Sequence, residues 1–545
     1  IYFAPGATHA PHHVPKEWAD KYKGQFNQGW DKLREETFAR QKKLGVIPAD
    51  CELTARPKDV PGWDDMPEAF KPVLRRQMEV YAGFLEFTDH HVGRLYEAIE
   101  KLGIADDTLV YYIIGDNGAS AEGSFNGCFN EMSYFNGLQS LETAEYLTER
   151  IDKLGGPESY NHFAVGWAHA LNTPYQWTKQ VASHFGGTRN GTIVHWPKGI
   201  QAKGELRTHF AHVIDVAPTI LEAAGIPEPV SVDGIQQDPI DGVSMLKTFN
   251  DAKAPEAHET QYFEVMGNRA IYHKGWTAVT KHYTPWIPNV KPALDDDVWE
   301  LYDTTTDWAQ AKDLSKEMPD KLRELQRLWI IEATRNKVLP IDDRMFEKIN
   351  PDTAGRPTLV KGKTQLLAGG MSHLGENCVL NIKNKSHSVT AAIVVPQGGA
   401  EGVIIAQGAD IGGWSLYAKG GKLKYCYNWG GFKHFMIEGG SVMSPGEHQV
   451  RMEFAYAGGG LGKGGKVTLY VDGQQDGEGE VGATLAMIFS ADDGLDVGKD
   501  GGSAVSPDYK PGNNSFNGKV KGVQLAIDEA AEDLDHLLDP ADVIR

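Results

Sequence analysis

Residues Thr108–Ser124 read TLVYYIIGDNGASAEGS, and the fold turns on what that stretch is. Seven β-prone residues, Thr108–Ile114, end abruptly in Gly115-Asp116-Asn117-Gly118. Asp-Asn-Gly is turn chemistry, because short polar side chains bond the nearby backbone and glycine accepts a left-handed conformation. The same residues also make a pair of oxygen ligands held at the carboxyl end of a strand. Unbroken apolarity predicts a strand buried on both faces, as in a parallel sheet. Upstream, Met78, Tyr81, Leu85, Val92, Leu95, Ile99 and Leu102 recur at helical spacing, and Gly103 supplies a stop. Downstream, TIVHWP (Thr192–Pro197) is a second strand. Asp215 is placed to cap a helix through DVAPTILEAAG, with Pro218 in its first turn and Gly225 at its end. Helix, strand, loop, strand, helix is α/β architecture.

The character changes after residue 255. QYFEVMGNRAIYHKGWTAVTKH reads as two strands joined through His273-Lys274-Gly275, followed by VWELYD and a helix over Pro319–Thr334. This predicts a small antiparallel sheet with one helix. Residues 342–365, rich in Pro, Asp and Lys, read as a linker. Beyond them HSVTAAIVV, GVIIAQ, WSLYAKGGKLKYCYNW, HQVRMEFAY and KVTLYVDG are short strands between Gly-rich turns, the pattern of a β-sandwich or jelly roll. The predicted domains are therefore 1–255 (α/β), 256–341 (sheet plus helix), 342–365 (linker) and 366–545 (sandwich). Trp414, Tyr417, Tyr425, Tyr427 and Trp429 could line a carbohydrate cleft, but their alternation makes most of them core. GLGKGG (Gly460–Gly465) is followed by a strand where a dinucleotide site needs a helix, so it is a turn. DVGKDGG (Asp496–Gly502) lacks the glutamate of a calcium loop and is also a turn.

At 545 residues the chain exceeds one ordinary core. Its net charge of −20 argues against nucleic acid or an anionic membrane as partner, although a local cationic pocket can still take an anionic small molecule. Cys51, Cys128, Cys378 and Cys426 show neither a disulfide framework nor metal-ligand spacing. No apolar run reaches the roughly 20 residues that span a bilayer. The opening IYFAPGATHAPHH reads like the end of a strand, which predicts a preceding segment that would carry any signal peptide.

Three loops converge on one chemistry. GATHAPHHVP (Gly6–Pro15) sets His9, His12 and His13 between prolines, where no helix can form, and strand-end loops of open α/β sheets bind ligands. TPYQWTKQVASHFGGTRN (Thr173–Asn190) brings Lys179, His184 and Arg189 toward the same region. With Asp116 and Asn117, the set offers a carboxylate, an amide oxygen, an imidazole and an ammonium, suited to a hard divalent cation and an anionic oxygen substrate. Taken singly, each of these residues reads as an ordinary surface charge or turn cap.

The DNGASAEG, TPYQWTKQVASHFGG and HAPHHVP stretches resemble the sulfatase family of the alkaline phosphatase superfamily, in particular its long bacterial arylsulfatases. The similarity extends through FNQGWDKLREETFARQKKLG, AHVIDVAPTILEAAG, QYFEVMGNRAIYHKGW and DDDVWELYD and into the β-rich tail. The resemblance implies an α/β sulfatase/alkaline-phosphatase-like domain, incomplete at its N-terminus, with a small antiparallel α+β subdomain and an all-β, jelly-roll-like sandwich after it. It implies that Asp116 and Asn117 bind one calcium ion. It implies that His9 protonates the departing alcohol oxygen and that Lys179 contacts the sulfate and bridging oxygens; His184 and Arg189 receive no role, and His12 and His13 flank the pocket. The family's nucleophile is a hydrated formylglycine made from the cysteine of a C-x-P-x-R motif. None of the four cysteines fits that motif, and the family's first acidic metal-ligand pair is also absent.

The resemblance therefore implies an arylsulfatase-like sulfuric ester hydrolase that cleaves small-molecule or saccharide sulfate monoesters. A separate N-terminal segment would complete the site, and the chain alone would have little turnover. A periplasmic or secreted location is favoured over the cytoplasm. The alternatives are a phosphomonoester or phosphonate hydrolase of the same superfamily and a catalytically dead, glycan-binding protein.

Overall fold

The computed structural model describes residues 1–287 and 292–528. The chain divides into two compact units, one of residues 1–127 with 162–343 and one of 128–161 with 344–545. The first mixes helices and sheets and the second is β-rich.

In the first unit, helices span Gly29–Leu44 and Lys71–Lys101, the latter followed by Gly103 in the left-handed conformation that a helix C-terminus favours. The Gly29–Leu44 helix buries Trp30 against Trp167 of the helix Val165–Leu171, their ring centroids 5.4 Å apart in a T-shaped pair. Strand β1 (Val110–Ile113) pairs with β2 (Thr192–His195). The pairing corrects the prediction of a parallel, doubly buried strand. The ribbon is antiparallel, in register Val110↔His195, and Ile113, Ile114 and Ile193 are exposed. Apolarity signals what a strand prefers to contact and carries no information on the direction of its neighbour. A short hairpin, β3 (Ser231–Val232) with β4 (Ile235–Gln236), lies at the surface.

Strands β5 (Thr260–Val265), β6 (Asn268–His273), β7 (Trp276–Thr280) and β8 (Glu300–Asp303) form an antiparallel sheet in sequential order. The helix Pro319–Arg335 packs Leu325, Trp329 and Ala333 on Ile271, Ala278 and Leu301 of that sheet. The small sheet with one helix is thus as expected, with one more strand than the sequence suggests. Met266-Gly267 makes a second two-residue turn, both residues at positive φ like Lys274-Gly275.

Asp215 precedes the helix Val216–Ala224, which ends at left-handed Gly225 as expected, but its carboxylate does not cap that helix. It accepts instead from the backbone of His212 and Val243 and from His258 Nδ1, 2.8 Å away, while His258 Nε2 faces the Thr260 carbonyl at 3.1 Å. Burial, the largest single effect, opposes charge on both groups, but their mutual bond and attraction together with the bonds from His212 and Val243 to Asp215 and of His258 to Thr260 outweigh it, lowering Asp215 and raising His258. The raised histidine stabilises fully below its ordinary value of 6.5 and loses that contribution as pH rises through its higher folded value. The lowered carboxylate contributes above its ordinary 3.8 and fails only as pH falls through its folded value. Urea midpoints are expected to fall from pH 6 to pH 9 in the native chain and to flatten over that window in His258→Gln; parallel curves would refute the linkage.

The second unit holds two antiparallel sheets. Its strands are β9 (Thr364–Ala368), β10 (His387–Val395), β11 (Gly402–Ala409), β12 (Gly412–Lys419), β13 (Lys422–Trp429) and β14 (Lys433–Val442). They continue with β15 (Gly446–Tyr456), β16 (Lys463–Val471), β17 (Gln474–Ala483), β18 (Leu495–Val497) and β19 (Lys519–Ile527). The sheet orders are β17-β16-β15-β10-β19-β9 and β14-β13-β12-β11-β18, and side chains from both build one core. Trp414, Tyr417, Tyr425 and Tyr427 are at most 4 % exposed and are core, while Trp429 is half-buried and packs against that core, so the core reading holds for most of the five. Residues 128–161, expected with the first segment, group here. Asn130 Nδ2 donates to the carbonyls of Ile411 and Gly430, Asn136 Nδ2 to that of Ile488, and the Tyr160 hydroxyl to Asp492. Part of the expected linker is ordered too: Pro351–Ala354 is helical and the buried Asn350 bonds the Ala486 carbonyl. Residues 529–545 of the expected last domain lie outside the described residues.

Candidate active site

The Asp116-Asn117-Gly118 turn is fixed by close backbone approach. Gly118 N donates to the Gly187 carbonyl, and a Cβ on Gly118 would stand 1.7 Å from Gly186 O. Gly186 and Gly187 are equally closed in, by the carbonyls of Gln176 and Val181. The double glycine after Phe185 therefore lets the Gln176–Val181 loop close on it, and Gly118 lets the DNG turn seat on the same segment. Gly118→Ala is expected to cost about 3 kcal/mol, read as a lower urea midpoint, since neither partner is a side chain that can swing away; an unchanged midpoint would contradict the packing.

One residue past the turn, Ala119 N donates to Asn172 Oδ1, and Ala119 O accepts from Lys179 N at 3.1 Å. The turn and the lysine loop are thereby stitched side by side. Asn117 Nδ2 lies 2.7 Å from Asp116 Oδ1, so amide and carboxylate sit together at the strand end. Asp116 is exposed and Asn117 half-buried.

Lys179 Nζ is 2.9 Å from His9 Nε2 and 3.1 Å from Glu122 Oε2. His9 Nδ1 faces the Ala10 carbonyl at 2.8 Å, which assigns the Nδ1 proton and leaves Nε2 to accept from the ammonium. His9 and Lys179, predicted from separate loops, are thus brought into direct contact. Glu122 was not singled out in the sequence. It is buried, and it accepts from Ser120 Oγ and Gln180 Nε2 at 2.8 Å each as well as from Lys179. Burial opposes its ionisation, but the Lys179 charge, His162 and these bonds outweigh burial and hold its carboxyl below the usual range.

The other two histidines of the loop divide the remaining tasks. His12 is buried, edge-on to Tyr81 at 4.9 Å and beside His162 and Phe163, and Thr8 Oγ1 bonds the Tyr81 hydroxyl. These contacts anchor the loop on the Lys71–Lys101 helix. Burial, with the neighbouring His162, keeps His12 neutral, and burial pushes His162 down to about 4. His13 is exposed. His184 and Arg189 are structural: His184, 1 % exposed, lies between Ser183 Oγ and Glu300, and Arg189 lies 3.8 Å over the Trp308 ring.

Arg34 organises the lysine loop from behind. Projecting from the Gly29–Leu44 helix and only 5 % exposed, it donates to the carbonyls of Thr54, His169, Pro174 and Tyr175 and to the hydroxyls of Thr54 and Thr173. Burial without a bonded carboxylate lowers it to about 10. Trp177 and Gln180, on either side of Lys179, both hold positive φ, so the loop is cinched into one shape.

Among known proteins, residues 1–226 match the sulfatase family and residues 179–328 match the C-terminal region of N-sulphoglucosamine sulphohydrolase. An uncharacterized sulfatase of Schizosaccharomyces pombe is 31% identical over 350 residues, 63% of this chain and 59% of the relative. The arylsulfatase of Klebsiella aerogenes is 28% identical over 261 residues, 48% of this chain and 52% of the relative. The chain thus spans between half and three fifths of these relatives' lengths. A solved structure of Ps i-CgsB in complex with k-i-k-neocarrahexaose is 18% identical, covering 64% of this chain and 53% of that one with a TM-score of 0.36. No helix among the described residues is long and apolar enough to cross a membrane.

Proposed function

We propose, from the match of residues 1–226 to the sulfatase family and of residues 179–328 to the C-terminal region of N-sulphoglucosamine sulphohydrolase, that this chain is a sulfatase and serves the hydrolysis of sulfate monoesters, small-molecule or saccharide, to an alcohol or phenol and inorganic sulfate. The observation that carries this reading is the contact of Lys179 with His9, two groups from loops 170 residues apart, beside the Asp-Asn turn. The ammonium offsets the charge of the sulfate oxygens. To act as the acid, His9 takes a second proton on Nε2 from solvent, in place of its bond to the ammonium, and passes that proton to the ester oxygen as its bond to sulfur breaks, a step worth about 10²–10⁴-fold. The buried Glu122 holds the ammonium in place.

Calcium fits Asp116 and Asn117 in kind. A carboxylate and an amide are hard oxygen donors, and among the described residues Asp116 Oδ2 and Asn117 Oδ1 have no hydrogen-bond partner. They supply two of the roughly six to eight oxygens the ion takes. Bound there, calcium would add positive field at the sulfate. Asp116→Ala is expected to weaken calcium binding at least about tenfold by calorimetry; unchanged binding would remove the assignment.

No cysteine of this sequence begins C-x-P-x-R, so in this reading a formylglycine nucleophile would have to be supplied by a further polypeptide segment. That segment would also cover the exposed Ile113, Ile114 and Ile193 of the β1–β2 ribbon. Intact-mass and N-terminal analysis of the protein from its native source tests this. A longer or co-purifying chain with a cysteine converted to formylglycine is expected; Ile1 as the true start with no companion would overturn the catalytic reading.

A further inference from the structure

The Lys179 ammonium has three N–H donors. One points to His9 Nε2 and one to Glu122 Oε2, at 2.9 and 3.1 Å, which leaves a single donor for a substrate oxygen. We propose that Glu122 is the positioning residue of the site: by claiming one ammonium proton from a fixed carboxylate, it aims the remaining one. This rests on the sulfate-ester reading for the identity of the anion, and on geometry for the role itself.

The carboxylate is built to be immobile. Ser120 Oγ donates to Oε2 and in turn accepts from Glu122 N at 3.2 Å, closing a small ring that sets the side-chain torsions. Gln180 Nε2 holds Oε1, and the Gln180 carbonyl is itself pinned by Asn268 Nδ2 at 3.0 Å. Gln180 pays for this placement with a positive φ, a conformation a non-glycine residue keeps only when its surroundings demand it. The Lys179 side chain is 19 % exposed and that of Glu122 is 11 %, so solvent screens the pair weakly. A lysine otherwise has a flexible four-carbon stem and a rotating head, unsuited to directed contact without such a partner.

An anion next to an anion-binding site is costly by Coulomb's law, so its presence needs a positional gain, and the two effects have opposite signs in Glu122→Gln. If the charge merely repels, its removal tightens sulfate; if it positions, removal loosens sulfate. The test is calorimetric titration of the full chain with inorganic sulfate, alongside the ¹⁵N ammonium resonance of Lys179, assigned by its loss in Lys179→Met. The native chain is expected to show a slowly exchanging ammonium signal. Glu122→Gln is expected to lose that signal and to bind sulfate about fivefold or more weakly with an unchanged melting temperature. Ser120→Ala, which frees the carboxylate but leaves its charge, is expected to show a smaller loss in the same direction and decides the matter should Glu122→Gln misfold. A retained ammonium signal, or sulfate binding equal or tighter in both variants, overturns the proposal. Failure of the native chain and Lys179→Met alike to bind sulfate would count against the sulfate reading, while the ammonium signal would still decide the role of Glu122.

Discussion

Arg34→Ala is expected to lower the stability of the first unit by about 3–5 kcal/mol, the largest single-residue effect outside the apolar core. The guanidinium is buried with no carboxylate bonded to it among the described residues, and oxygens of five residues accept from its two Nη groups. Truncation opens a cavity and takes from the Thr54 and Tyr175 carbonyls their Arg34 donor, while Pro174 O keeps Thr54 Oγ1 and His169 O keeps Asn172 N; Tyr175 leads into the loop that carries Lys179. Arg34→Lys is expected to recover little, because a point charge with three donors cannot reproduce a planar fork with five. Urea unfolding followed by tryptophan fluorescence reads the change, since Trp30 and Trp167 lie on the same two helices. A loss under about 1 kcal/mol would show that these bonds are exchanged for water at no cost.

The second large effect concerns Lys179. In the complete enzyme, Lys179→Met is expected to reduce kcat/KM for an aryl sulfate by about 10²–10³, the usual cost of removing one preorganised donor from developing negative charge. The fall should appear in kcat as well as KM, because charge grows on the ester oxygen only as its bond breaks. Calcium affinity should be unchanged in Lys179→Met and lost in Asp116→Ala, which separates the two sides of the site. A drop confined to KM would reduce Lys179 to a ground-state anion contact.

Much of this site was legible in sequence because its residue types are unusual where they stand. A hydrophobic strand that stops at Asp-Asn-Gly and a histidine cluster between prolines stand out as a pair, and the structure brings His9 of the one loop against Lys179, whose backbone bonds Ala119 beside the turn. Glu122 gave no such signal: a glutamate in a loop is most often solvated, and only the fold reveals that Ser120, Lys179 and Gln180 surround it. Residue type and spacing do not separate His9 from His12, three residues apart; only the family resemblance singles out His9, which faces the lysine while His12 packs on Tyr81.

The fold shows the same division. Local chemistry placed the helix stops at Gly103 and Gly225 and the turn at Lys274-Gly275, whereas Met266-Gly267 was missed because methionine is not a turn residue. Long-range pairing was not legible. The partner and direction of β1 and the grouping of residues 128–161 with the sheets of the second unit depend on contacts far apart in the chain. The asparagines at 130 and 136 that secure the latter look like ordinary loop residues.

The most direct test is hydrolysis of p-nitrophenyl sulfate against p-nitrophenyl phosphate by the protein purified from its native source, with calcium present and with calcium chelated. Cleavage of the sulfate ester in preference to the phosphate, lost on chelation, is the predicted result. Preference for phosphate, or no cleavage of either ester by a preparation whose mass includes formylglycine, would contradict the account.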